Sequence, residues 1–273
     1  MAAYRLLALD MDGTVLTSEK RVSPRTREAL QGLSERSVAL ALATGRNVVE
    51  LSDYRDELAF VPYGVLASGS IAYSFAEGRP LSSTLIPTSD VRRATEIALA
   101  EGGIPFLSCV DGTRSRASDI RRLDECGLHA YRLLYEHVCE RVDDPTSWID
   151  SHPEKVVKVD IYHPQDEGCL RIRDRISSEG LRVECWSSEP GCMECTATGV
   201  NKSVGLRALA DKLGIAMSEV VAVGDGGNDL AMLGVVGMPV AMGNASQAVK
   251  DAARLTVADN DHDGIAELVE RLF

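Results

Sequence analysis

Two carboxylates one residue apart stand near the start of the chain, in Asp10-Met11-Asp12-Gly13-Thr14. At the end of a strand alternate residues can turn to the same side, so Asp10 and Asp12 can converge. One can attack an electrophile while the other moves a proton, provided their surroundings separate their pKa values. Far along the chain, Gly224-Asp225-Gly226-Gly227-Asn228-Asp229 brings two more acids around glycines and an asparagine. Acids gathered this way repel one another unless a cation sits among them. Hard oxygen donors with few other ligands favour Mg2+, which also bridges to phosphate oxygens. Each stretch alone also reads as an acidic turn or a helix cap.

Two further pieces carry weaker chemistry. In Thr44-Gly45-Arg46 a hydroxyl and free backbone N–H groups at a helix start can cradle a phosphate oxygen, although a threonine cap on the next helix reads equally well. Lys202 falls in the first turn of a helix after Gly199. A cation there opposes the helix dipole, which suggests that its charge is used elsewhere.

These residues need elements to hold them. Tyr4–Leu9 is a short apolar run that reads as a buried parallel strand, and Ser23-Pro24 opens a helix. Val38–Ala43 and Val65–Ala67 are further strands, with a polar helix between them from about Asn47 to Leu58. The end of the chain repeats the pattern, with strands at Val220–Val223 and Pro239–Met242 among helices near Asn201–Leu213, Asn228–Leu233, Ser246–Ala252 and Gly264–Leu272. Such alternation predicts right-handed crossovers in a doubly wound parallel α/β sheet, whose ligands sit beyond the carboxyl ends of the strands.

The middle differs. All seven cysteines and both tryptophans, Trp148 and Trp186, lie between Cys109 and Cys195. Val156–Tyr162 interleaves Lys158 and Asp160 with apolar residues, as a strand with one solvated face does. We therefore expect a core built from residues 1–83 and 191–273, with an inserted α+β domain over 84–190. The odd cysteine count and scattered spacing point to reduced thiols; Cys192 and Cys195 form a C-x-x-C whose alternatives are a redox pair or half a zinc site, but with no second pair at suitable spacing it reads as structural. The arginines Arg114, Arg116, Arg121 and Arg122 read as a solvated face, with a contact to substrate as the alternative.

In their order along the chain the four polar pieces resemble the haloacid dehalogenase superfamily of phosphotransferases. The forms LALDMDGT, LATGR, GVNK and AVGDGGNDLAML are similar to those of its Cof-type, or type IIB, subfamily. The resemblance covers nearly the whole chain and extends to Val240-Ala241-Met242-Gly243-Asn244-Ala245 and Asp263-Gly264. It implies that the insertion is a C2 cap. It further implies that Asp10 is the nucleophile that becomes an aspartyl phosphate, and that Asp12 is the acid and base. Thr44, Gly45, Arg46, Lys202 and Asn228 would hold phosphate or substrate. Mg2+ would be bound by Asp10, the Asp12 backbone carbonyl and Asp225, with Asp229 nearby. One departure stands out: where the family commonly has Asn-Gly-Ala after the third strand, this chain has Ala67-Ser68-Gly69-Ser70.

Composition narrows the partners. A net charge of −12 gives no basic footprint for nucleic acid or an anionic membrane, but a small anionic substrate responds to local fields instead. No run of about 18 apolar residues is present to span a bilayer, and the first residues offer no apolar signal region, so a cytoplasmic protein is expected. The expected function is Mg2+-dependent hydrolysis of a small phosphorylated metabolite, a sugar phosphate first. A phosphomutase using the same intermediate and a non-catalytic phosphate-binding module are the alternatives.

Overall fold

The computed structural model describes residues 4–273, with every side chain there except those at 188 and 189. Along the first part of the chain run β1 (Leu6–Leu9), α1 (Pro24–Glu35), β2 (Ala39–Ala43), β3 (Tyr63–Leu66), β4 (Ile71–Ser74) and β5 (Arg79–Ser83). The middle supplies α2 (Thr88–Ala100), β6 (Ile104–Cys109), β7 (Gly112–Ser115), α3 (Ala117–Arg122), α4 (His129–Val138), β8 (Cys139–Arg141) and α5 (Pro145–Ser151). It continues with β9 (Val156–Tyr162), α6 (Asp166–Ser178), β10 (Val183–Glu189) and β11 (Cys192–Ala197). The last part holds α7 (Lys202–Leu213), β12 (Val220–Gly224), α8 (Leu230–Leu233), β13 (Met238–Ala241), α9 (Gln247–Ala252), β14 (Leu255–Thr256) and α10 (Gly264–Leu272).

The chain divides into two units. One comprises residues 1–45, 53–82 and 201–273, and the other residues 46–52 and 83–200. The first is built on an eight-stranded sheet in the order β14-β13-β12-β1-β2-β3-β4-β5. Its central strand β1 is flanked in parallel by β12 and β2, which is why Leu6–Leu9 reads as an unbroken apolar run with no exposed residue. β2–β3, β12–β13 and β13–β14 are parallel too. The sheet then turns back on itself, because β4 folds antiparallel onto β3 through the tight turn at 67–70. The order runs outward in both directions from β1, so the switch point of this doubly wound sheet lies at its carboxyl end.

Local signals fix the helices. The Ser23 hydroxyl accepts the Thr26 N–H at 3.1 Å with Pro24 in the first turn of α1. Asn201 caps α7 by accepting the Ser203 N–H at 3.0 Å, and left-handed Gly214 ends that helix. The segment expected as a helix over 47–58 is instead a 3-10 turn at Val48–Tyr54. Its first N–H, that of Asn47, goes to the Glu50 carboxylate at 3.1 Å.

The second unit carries a six-stranded sheet in the order β10-β11-β9-β6-β7-β8, antiparallel except between β7 and β8. One sheet face packs Leu107, Val159, Ile161, Met193 and Cys195 against Ala94, Ile97, Ile149, Ile172 and Ile176 of α2, α5 and α6. At one end of the opposite face, Phe106 and Tyr162 meet Ile120, Leu123 and Tyr135, with the Phe106 and Tyr135 rings 4.4 Å apart.

Four expectations change here. The second unit continues to Val200, because Cys192–Ala197 pairs with both β9 and β10 and is therefore an inner strand of the inserted sheet. The polar face of Val156–Tyr162 is not solvated: Lys158 and Asp160 are each only 3 % exposed. Cys185 and Cys195 form a disulfide, since they stand directly opposite in the β10–β11 pair, whereas Cys109, Cys126, Cys139, Cys169 and Cys192 keep their thiols. Of the four arginines only Arg114 is buried, pairing with Asp111 at 2.6 Å and Glu140 at 2.9 Å, whereas Arg116 and Arg122 are half-buried and Arg121 is exposed, as a solvated face requires. Among the described residues no helix is long and apolar enough to cross a membrane.

Candidate active site

The register of the central strands decides what meets at the sheet edge. Leu9 lies opposite Val223 on one side and Leu42 on the other, so the residues just beyond these three emerge side by side. They are Asp10, Gly224-Asp225 and Ala43-Thr44. The Asp10 N–H donates to the Val223 carbonyl at 3.0 Å, extending the ladder one step past the strand.

Three carboxylates converge there. Asp10, Asp225 and Asp229 each present an oxygen, and these atoms all lie within 4.8 Å of one another. Lys202 joins them: its Nζ donates to Asp10 Oδ1 at 2.5 Å and to Asp229 Oδ1 at 2.7 Å, with the side chain 1 % exposed. Asp229 Oδ2 accepts the Asp225 and Gly226 N–H groups, both at 3.0 Å, so this carboxylate also holds the glycine turn in shape.

Neighbours orient Asp225. The Thr14 hydroxyl donates to its Oδ1 at 3.0 Å, and the Asn244 amide reaches its Oδ2 at 3.5 Å while donating to the Gly13 carbonyl at 2.8 Å. Gly13 has φ +80°, and a Cβ there would lie 2.5 Å from Asp225 Oδ2, so only glycine lets the first loop pass this close. Thr14 and Asn244 are contacts the sequence reading left without roles. Their signal was positional: each sits inside a run singled out for its neighbours.

Lys202 is set by close packing of α7. Gly69, with φ +99°, lies against the Asn201 backbone, and a Cβ on Gly205 would meet the Gly69 carbonyl at 2.7 Å. Two facing glycines let the first turn of α7 rest on the turn after β3. In that turn Ala67 and Ser68 are also left-handed, with φ of 48° and 58°. The Ser68 N–H donates to the Thr44 carbonyl at 3.1 Å, which ties the same turn to the end of β2.

The electrostatics follow from burial. Desolvation, then the charge of Asp229, pushes the Asp10 carboxyl well above the usual carboxylate range, with Lys202 pulling against both. Asp225 is also raised, by burial first, while the Thr14 hydrogen bond opposes the shift. Burial disfavours the Lys202 ammonium, but Asp10 and Asp229 outweigh it and hold its pKa above the ordinary lysine value. Three carboxylates against one ammonium leave two negative charges in excess, the charge that a divalent cation brings. The donors are all carboxylate oxygens, which suits Mg2+.

The remaining expected residues are placed as follows. The Asp12 carboxylate is not one of the converging three; it pairs with Lys20 Nζ at 2.8 Å. Thr44 is buried at the end of β2. Arg46 belongs with the second unit, so the run Thr44-Gly45-Arg46 is split after Gly45. Asn228 is exposed, with its Oδ1 over Gly226.

The model of the haloacid dehalogenase-like hydrolase family matches residues 7–269. The chain belongs to this family. It is 26 % identical over 275 residues to the 5-amino-6-(5-phospho-D-ribitylamino)uracil phosphatase YitU of Bacillus subtilis, covering 98 % of this chain and 97 % of that protein. It is 27 % identical over 285 residues to the pyridoxal phosphate phosphatase YbhA of Escherichia coli, covering 97 % of each. Among solved structures it is similar to a haloacid dehalogenase-like hydrolase from Bacteroides thetaiotaomicron, with a TM-score of 0.85 and 28 % identity over 99 % of this chain and 100 % of that one. The chain is accordingly a phosphatase of the haloacid dehalogenase type.

Proposed function

We propose that the chain is a Mg2+-dependent phosphatase that hydrolyses a small phosphorylated metabolite, a sugar phosphate first, through a phosphoryl group carried on Asp10. The observation that supports this reading best is Lys202 lodged between Asp10 and Asp229, with Asp225 completing the acidic group. Phosphate monoesters are among the slowest esters to hydrolyse unaided, and their catalysts must offset the repulsion between an anionic nucleophile and a phosphate dianion.

In the first half-reaction an Asp10 carboxylate oxygen attacks phosphorus and the ester P–O bond breaks. The electron pair leaves on the alcohol oxygen, which takes a proton from the Asp12 carboxyl. In the second half-reaction a water molecule gives a proton to the Asp12 carboxylate and attacks the aspartyl phosphate. The Asp10–phosphorus bond breaks, and orthophosphate leaves. Splitting the reaction at a covalent stage replaces one difficult displacement with two easier ones. Lys202, Thr44 and the Gly45 N–H hold the phosphoryl oxygens, and Arg46 and Asn228 contact the substrate. Asp10, Asp225 and the Asp12 backbone carbonyl would hold Mg2+, with Asp229 beside them. A cation bound there neutralises charge on the transferring group. The inserted unit serves as a C2-type cap that selects which ester is accepted.

The test is phosphate release from a panel of phosphorylated metabolites. We expect turnover that excess chelator abolishes and added Mg2+ restores, and that Asp10→Asn eliminates while the circular dichroism spectrum stays that of the wild type. Full activity of Asp10→Asn, or persistent turnover in excess chelator, contradicts the reading. A sugar phosphate isomerised without phosphate release assigns the mutase reaction instead.

A further inference from the structure

The Cys185–Cys195 disulfide lies at the border of the inserted sheet. Strand β10 is the edge of that sheet, and Cys185 stands directly opposite Cys195 of the inner strand β11. Their Cα atoms are 4.2 Å apart, the spacing of an antiparallel pair that exchanges no backbone hydrogen bonds. The Cys185 N–H and carbonyl therefore point away from β11, toward the open edge, and the sulfur bond is what ties these two residues together. The two sulfurs differ in access. Cys185 is half-buried, whereas Cys195 is fully buried in the apolar packing beneath α2 and α6.

Holding the fold together does not account for this bond. Domains that need disulfides for stability are small and short of apolar core, whereas this unit buries Ile97, Ile161, Ile172 and Met193 in a core of its own. The bond spans a separation of only 10 residues, inside a hairpin whose strands already pair, and a loop that short gains least from a cross-link. Its place along the chain gives it a different consequence. Glu184, next to Cys185, accepts the Gly199 N–H at 2.9 Å, and the hydroxyl of Thr196, next to Cys195, donates to the Val200 carbonyl at 2.9 Å. These two contacts fasten the segment that runs directly into Asn201, the cap of α7, and Lys202.

We propose that the Cys185–Cys195 bond is a redox-sensitive clip: oxidised, it seats β10 and steadies the segment leading to Lys202, and reduced, it releases both. A small thiolate attacks the accessible Cys185 sulfur. The S–S bond breaks, and its electron pair leaves on the Cys195 sulfur, which takes a proton. A second small thiolate then attacks the small-thiol sulfur of the mixed disulfide, and Cys185 departs with the electron pair and takes a proton. The protein gains two thiols while two small thiols are oxidised to their disulfide. Elements with the fewest ties open first, and an edge strand without its clip is such an element. The effect at Lys202 rests on the phosphatase reading; the effect on β10 does not.

The experiment holds the folded protein, without denaturant, in dithiothreitol or in oxidised glutathione, and verifies the state of Cys185 and Cys195 by alkylation and peptide mass spectrometry. Two outputs are then read: tryptic cleavage after Arg182, which is exposed just before β10, and kcat/KM for p-nitrophenyl phosphate. We expect reduction to go to completion in the folded protein, to speed that cleavage at least tenfold and to lower kcat/KM at least threefold, with reoxidation restoring both. Cys185→Ser should behave as the reduced protein in both buffers, which separates this bond from the five other cysteines. The inference is overturned if the bond yields to thiol only in denaturant, if both outputs stay within twofold between the two states, or if Cys185→Ser responds to reductant as the wild type does. Faster cleavage with unchanged kcat/KM overturns it too, because the strand then opens without effect on Lys202. Absence of turnover in both states would instead sink the phosphatase reading, and cleavage after Arg182 would then decide the clip by itself.

Discussion

Replacing Lys202 by methionine removes one charge and keeps most of the side-chain volume. The ammonium is the shared partner of Asp10 and Asp229, at 2.5 and 2.7 Å, and all three side chains are buried. Removing one member of a buried ion pair costs about 3–5 kcal/mol, because the carboxylates left behind remain desolvated and unpaired. Proton uptake by Asp10, already pushed upward by burial and by Asp229, returns part of that cost. An acid whose pKa is higher in the folded than in the unfolded chain binds its proton more tightly when folded, so its cost is full at high pH and shrinks as pH falls. We therefore expect the metal-free variant to be about 2–4 kcal/mol less stable than the wild type at pH 8, with the gap narrowing toward pH 5. Activity should fall about 10²–10³-fold in kcat/KM, as for loss of one fixed donor to a developing oxyanion. Urea unfolding followed by far-ultraviolet circular dichroism suits the measurement, because both tryptophans belong to the second unit and fluorescence would report mainly there. A variant within about 0.5 kcal/mol of the wild type at pH 8, with no pH-dependent gap, would refute the claim that this ammonium holds the carboxylates together.

Two further outcomes follow from the same coordinates. Gly69→Ala places a Cβ against the Asn201 backbone at φ +99°, so the start of α7 must shift; we expect a loss of at least about 2 kcal/mol in thermal unfolding and a marked fall in phosphate release, and wild-type values for both would refute the packing argument. Burial raises the Asp160 carboxyl to about 7, against the opposing pull of Lys158, so this group destabilises the folded chain increasingly as pH rises from about 4 to 7. Asp160→Asn should flatten the corresponding fall in stability, of order 2–4 kcal/mol, in urea titrations followed by tryptophan fluorescence, and an unchanged slope would assign the pH dependence elsewhere.

Much of this arrangement was legible in the sequence. Runs such as Leu6–Leu9 and Val220–Val223 are apolar without interruption because parallel strands are covered on both faces, and each ends in the acids that emerge at the sheet edge. The strength of Lys202 as a signal came from its poor fit to a helix start, and its two carboxylate partners account for that misfit. What escaped had physical reasons too. The β4 and β5 strands are short and follow a left-handed turn, so neither periodicity nor length marked them. Strand β11 carries Glu194 and Thr196 alternating with Met193 and Cys195, and the expected boundary gave it to the core because its pairing with β9 and β10 leaves no mark in its own residues. The alternation in Val156–Tyr162 correctly separated two sheet faces but not their solvent exposure, because a polar face can be buried when its groups pair with one another. Asp12 was grouped with the other acids on spacing alone, whereas its carboxylate meets Lys20.

The short stretch 46–52 bears on how this protein can be dissected. It is contiguous with Thr44 and Gly45 yet is stitched to the insertion: the Asn47 amide donates to the Cys109 carbonyl at 2.7 Å, and Glu50 accepts from Thr113. A chimera that exchanges only residues 83–200 for a homologous segment without a hydroxyl at position 113 would leave the buried Glu50 carboxylate without that donor. Grafts between relatives should therefore carry these seven residues along with the longer piece, as two cassettes inherited together.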